Sequence, residues 1–134
     1  MQATLKGQAV DAFYVAEGEH FISTANTTGP WHPKFQHAGP PSALLGRALE
    51  LEAGDLQVVR FSVDLLKPVP VAPLRIELND ITPGKRRRVI EARLIAVEGE
   101  QLVARAQALA LRQDDIPLDD LPNHDGDAPT SVAD

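Results

Sequence analysis

Few side chains in this sequence are of a type and spacing that could do chemistry, and the first exclusion comes from residue type. With no cysteine, thiolate nucleophiles, thiolate metal sites and disulfides drop out. His20, His32 and His37 lack cysteine partners and helical i, i+4 spacing, and no acidic cluster lies near them, so no metal site is expected. Gly39 stands just before a predicted helix, where its backbone N–H could meet a developing negative charge beside a favourable dipole. The plainer reading of Gly39 is relief of crowding at a loop-to-helix turn. His37, in the same Pro-rich loop, reads as a loop anchor or a general base. Asp64 is the only acid inside the strand-like segment after the helix. It reads as a structural carboxylate paired with Arg60 or a strand-edge N–H, or as a carboxylate that holds water at a subunit interface. Lys85-Arg86-Arg87-Arg88 is the densest basic run, either a solvated hairpin face or a holder of phosphates on a nucleotide-containing ligand.

These residues need a scaffold, and the hydrophobic periodicity supplies one. Residues 12–16 and 21–25 are short apolar segments separated by Glu17-Gly18-Glu19-His20, which predicts an opening hairpin. The stretch NTTGPWHPKFQHAGPP from Asn26 to Pro41 holds too many prolines and glycines for a long regular element and predicts a shaped loop around Trp31. Ser42 to Ala53 reads as a helix entered through prolines and closed by Gly54. Leu44, Leu45, Ala48 and Leu49 leave it little polar surface, so it should be mostly buried, and Gly46 allows a close approach. The period then changes to two. Val59, Phe61, Val63 and Leu65 alternate with Arg60, Ser62 and Asp64, and Leu74, Ile76 and Leu78 mark the next strand. Ile90, Ala92, Leu94 and Ala96 mark a third, and Leu102 with Ala104, Ala106, Ala108 and Ala110 a fourth. The alanines leave room for a helix to lie close against the sheet.

Charge is unevenly placed. The chain of 134 residues carries 13 Lys plus Arg against 19 Asp plus Glu, for a formal net charge of −6. Residues 113–134 hold seven of the acids and no Lys or Arg, so residues 1–112 are close to neutral. The expected organisation is therefore one domain over 1–112 and an acidic, Pro-containing disordered tail or linker over 113–134. A near-neutral body with 4% aromatics and no stacking platform beside the basic run argues against nucleic acid. No apolar run approaches the roughly 18 residues of a membrane span, and Met1 to Val10 lacks a signal pattern. The expectation is a cytoplasmic protein without a membrane partner.

Hairpin, buried helix and four long antiparallel strands make an α+β arrangement, with one helix wrapped by a curved sheet. That is the order of the hotdog fold. The segments GPWHPKFQHAGPPSALLGRALE, VVRFSVDLLKPVPVAPLRIEL and LVARAQALALR resemble the N-terminal half of acyl-CoA thioesterase-like double-hotdog proteins of the thioesterase II type, over Phe13 to Arg112. The resemblance implies hydrolysis or binding of acyl-CoA thioesters without a cofactor, by a homodimer or by pairing with a second hotdog. It places Gly39 beside the thioester, and for such a substrate the basic run Lys85 to Arg88 could hold the phosphates of coenzyme A. In that branch an Asp, a Thr or Ser and a Gln orient the attacking water. Gln107 falls on the Gln position and Thr82 on or within one residue of the hydroxyl position, whereas Arg60 lies near the Asp position. Alternation groups Gln107 with Arg105 and Leu109, away from the alanine face, unless a β-bulge reverses it. The second expectation is a non-catalytic half that binds acyl chains or completes a partner. A hydratase-like hotdog would need a His and Asp pair after the helix, which the sequence lacks.

Overall fold

The structure, a computed structural model, describes residues 11–117. A hairpin of β1 (Tyr14–Glu17) and β2 (His20–Ser23) is followed by a short 3-10 turn (Ala25–Thr27) and the helix α1 (Gly39–Ala53). Four longer strands complete the chain: β3 (Gln57–Leu65), β4 (Pro73–Thr82), β5 (Arg87–Ala96) and β6 (Gln101–Leu111). They form one antiparallel sheet in the order β1-β2-β4-β5-β6-β3, so the hairpin lies at one edge and β3 at the other.

The core sits between α1 and one face of the sheet. Leu44, Leu45, Leu49 and Ala53 meet Leu74, Ile90, Leu94 and the alanines of β6. Ala104, Ala106, Ala108 and Ala110 are all buried. Small side chains on β6 let the helix axis come close, and the leucines of α1 fill the space they leave. Gly54 closes the helix with φ of 62°, a conformation that costs a residue with a Cβ more than it costs glycine.

Three details differ from the expectation. Helix α1 starts at Gly39, not Ser42, because Pro40 and Pro41 fit inside a first turn whose N–H groups have no helical partner. It is buried on one side only: Leu51 is 65% exposed, and Ala43, Arg47 and Glu50 also face outward. In β3 the pairing slips between Val58 and Arg60, so Val58 takes the core-facing place opposite Ala110 and Val59 is pushed outward. Phe61, Val63 and Leu65 then continue the face of Val58, opposite Ala108, Ala106 and Ala104.

Residues 113–117 form no helix or strand. The rest of the predicted tail, 118–134, and the N-terminal segment Met1 to Val10 lie outside the described residues. Among the described residues no helix is long and apolar enough to cross a membrane.

Candidate functional site

The start of α1 has an unusual supply of backbone donors. A helix leaves its first four N–H groups without helical partners, but here two of those four positions are Pro40 and Pro41, which have no N–H. The first helical bond runs from the Ser42 N–H to the Ala38 carbonyl at 3.2 Å. That leaves the N–H groups of Ala38 and Gly39, and neither donates a hydrogen bond among the described residues. Both residues are exposed. Two adjacent donors at the positive end of a helix dipole suit an oxygen that gains negative charge.

His37 lies over this point. Its backbone N–H donates to the Thr27 carbonyl at 3.0 Å, and its ring stands edge-on to Phe13 with centroids 6.2 Å apart. A Cβ built on Gly39 would come 3.1 Å from the His37 ring. Gly39 therefore does relieve crowding, and what it relieves is contact with His37.

A buried polar hub, unnoticed in the sequence, fixes the loop that carries these residues. Tyr14 donates its hydroxyl proton to Gln36 Oε1 at 2.5 Å, and Gln36 Nε2 donates to Ser23 Oγ and the Pro70 carbonyl, each at 2.8 Å. The Gln36 backbone N–H also donates to the Val69 carbonyl. Burial removes the phenol from water and holds the Tyr14 pKa well above the ordinary tyrosine value, so Tyr14 stays a donor. No periodic pattern marks a glutamine in a Pro-rich loop; its only trace in the sequence is its place two residues before Ala38.

Clefts flank this end of the helix. One of about 300 Å³ lies between Gln36, His37 and Ala38 and the chain leaving β3 at Leu65 and Leu66. A second, of about 390 Å³, lies between α1 and the hairpin, with Phe13, Phe21 and Leu44 in its wall. A third, of about 410 Å³, lies between the outward side of α1 and β3, where Phe61 packs over Gly46.

The strand residues singled out in the sequence lie elsewhere. Asp64 pairs across the sheet with Arg105, and its carboxylate receives the Arg105 Nε–H at 3.2 Å, not Arg60. Gln107 is exposed, with Ser62 on one side and Glu91 on the other. Thr82 ends β4 opposite Val89, after a shift in pairing between Asp80 and Thr82. Val89 faces Leu109, two residues from Gln107, so Thr82 shares its face. Asp64, Gln107 and Thr82 thus share the sheet face turned away from α1, while Gly39 and His37 are on the helix side. Pairing slips occur in β3 and, within β6 itself, at Val103 between Leu102 and Ala104; neither reverses the strand at Gln107, which stays outside. With two strand spacings between β4 and β6 and a two-residue offset along β6, Thr82 and Gln107 are roughly 12 Å apart, too far for a shared hydrogen bond.

The basic run divides. Arg88 donates to both oxygens of Asp80, to the carboxylate of Glu52 and, at 2.7 Å, to the Glu52 carbonyl, tying the β4–β5 hairpin to the C-terminal turn of α1. It works there as a structural cross-link. Lys85, Arg86 and Arg87 are exposed and have no ion pair among the described residues. No group of metal-binding side chains occurs among the described residues.

Comparison with known proteins agrees with this arrangement. The family model of the acyl-CoA thioesterase N-terminal domain matches residues 27–112. A Bacillus halodurans protein solved with CoA is 18% identical with a TM-score of 0.58, over 69% of this chain and 68% of that one. A Streptococcus mutans UA159 protein bound to acetyl CoA is 18% identical with a TM-score of 0.61, over 81% and 98%. A hypothetical thioesterase protein of Streptococcus pneumoniae TIGR4 is 16% identical with a TM-score of 0.60, over 69% and 82%. At these identities the likeness is one of fold. Comparison with curated proteins gives no match.

Proposed function

Because the chain belongs to the acyl-CoA thioesterase N-terminal domain family, we propose that it binds an acyl-CoA thioester at the start of α1 and takes part in its hydrolysis. The observation that carries this reading is the pair of free N–H groups at Ala38 and Gly39, beside clefts large enough for an acyl group. In hydrolysis, water adds to the carbonyl carbon, the oxygen becomes an oxyanion to which these N–H groups donate, and the C–S bond breaks. The thiolate leaves and takes up the proton that the water gave. The two similar proteins that hold CoA and acetyl CoA support a ligand of this class. Of the basic run, Lys85, Arg86 and Arg87 remain unpaired among the described residues and are its candidates for the phosphates.

A carboxylate to position the water is the missing part. Among the described residues none lines the cleft at the start of α1, and Asp64 is on the far face and bonded to Arg105. The reading is therefore completed by a second hotdog, in a homodimer or in a pairing of unlike halves. The edge strand β3 is where it would join. Its outer edge is unpaired among the described residues, and Val59 at 52%, Phe61 at 41% and Leu65 at 49% are exposed apolar groups. The position of Asp64 also favours a second reading, in which this half binds the acyl group without catalysing.

A thiol-release assay across a panel of acyl-CoAs, with solution mass measured by light scattering on the same sample, tests these readings. The expected result is turnover by an assembly larger than a monomer. Binding without turnover selects the non-catalytic half, and neither binding nor turnover overturns the proposal.

A further inference from the structure

The cleft between α1 and the hairpin has one feature that acyl burial alone does not require. Its walls are apolar, with Phe13, Phe21, Ala43 and Leu44, and the hydroxyl of Tyr14 is already committed to Gln36. Arg47 also lines it. This arginine is exposed and forms no ion pair or hydrogen bond among the described residues, while Arg75, Arg88, Arg93, Arg105 and Arg112 all have acidic partners. No acid lines this cleft; Arg47 stands on the ridge of α1 between it and the cleft toward β3, where Glu50 also lies, and the two form no ion pair among the described residues. An apolar cleft with a single uncompensated cation complements a ligand that is apolar along its length and negative at its end.

We propose that this cleft holds the acyl group and that Arg47 pairs with a carboxylate at its far end, so that the preferred substrates are thioesters of dicarboxylic acids. The inference rests on the thioester reading given above and adds the substrate class to it. The cleft reaches the start of α1, since Pro40, the residue after Gly39, forms part of its wall. The spacing sets a length. Gly39 and Arg47 are separated by about 12 Å of helix rise, and a helical side chain leans back by roughly a turn toward the N-terminus, leaving roughly 7 Å to cover. An acyl chain of about five or six carbons spans that distance. A guanidinium suits the task because its planar fork donates to both oxygens of a carboxylate.

The test compares adipyl-CoA with hexanoyl-CoA, which has the same number of carbons and no terminal charge. In thiol-release kinetics the wild type is expected to show a KM about tenfold lower for adipyl-CoA, the size of a charge-assisted hydrogen bond. In Arg47→Gln the ratio of the two KM values should fall to about one, and in Arg47→Lys part of the preference should remain. If the protein binds without turnover, the same ratios are read as Kd by calorimetry. A wild type that handles both thioesters without preference overturns this inference and leaves the thioester reading standing. An Arg47→Gln variant that weakens both equally assigns Arg47 to the coenzyme's phosphates and also overturns it. A wild type that neither binds nor hydrolyses hexanoyl-CoA or adipyl-CoA overturns the thioester reading itself.

Discussion

Gln36 shows how one side chain can hold a site together without touching a ligand. Its amide satisfies Tyr14, Ser23 and the Pro70 carbonyl, so loop, hairpin and the chain between β3 and β4 meet at one residue. Gln36→Leu keeps much of the volume but leaves those groups buried without partners, and should cost about 1–3 kcal/mol in denaturant unfolding. Tyr14 gives this hub a pH dependence. Burial raises its pKa in the folded chain, so the unfolded chain releases the proton first. The stability it contributes should be complete below about pH 10 and be lost as pH rises above that value. Denaturant melts should show the loss in the wild type and a flatter profile in Tyr14→Phe. Neither role was legible in the sequence, because Tyr14 and Gln36 are 22 positions apart and the bond between them depends on the fold. Asp64 was legible as a residue of a polar strand face. Its partner Arg105, 41 positions away, was not.

The elements were legible wherever one side of a strand or helix is uniformly apolar. The alternating alanines of β6 announced both the strand and the close helix, and every one of them is buried. Ala108→Leu should push α1 away from the sheet and cost about 1–3 kcal/mol, measured by thermal or denaturant unfolding. What the periodicity could not show was where it breaks. The slip between Val58 and Arg60 exchanges Val58 for Val59 at the core. A one-residue slip reverses side-chain direction, and nothing in a run of valines marks it. The helix start was misread for a related reason. Prolines punctuate a sequence, yet two of them fit inside a first turn whose N–H groups make no helical bonds. That misreading mattered for the site, since the prolines are what leave Ala38 and Gly39 as the only donors at the helix end.

At the scale of the molecule, the proposed chemistry and the sheet edge make the same demand. The start of α1 offers donors without a carboxylate, and β3 offers an unpaired edge with apolar side chains. Phe61→Glu, which puts a charge on that edge, should lower the solution mass in light scattering while leaving the core intact. Truncation after Gln113 should leave the melting temperature nearly unchanged, since the described residues beyond it form no helix or strand. If the Gly39 N–H donates to the thioester oxyanion, a pair of substitutions at this one position separates the donor from its surroundings. Gly39→Ala adds the Cβ that crowds His37 but keeps the N–H, whereas Gly39→Pro adds a similar crowding and removes the donor, at the first position of the helix. In thiol-release assays with an acyl-CoA, kcat for Gly39→Pro should fall about a hundredfold below that of Gly39→Ala; equal rates for the two variants would mean that the Gly39 N–H does not hold the oxyanion.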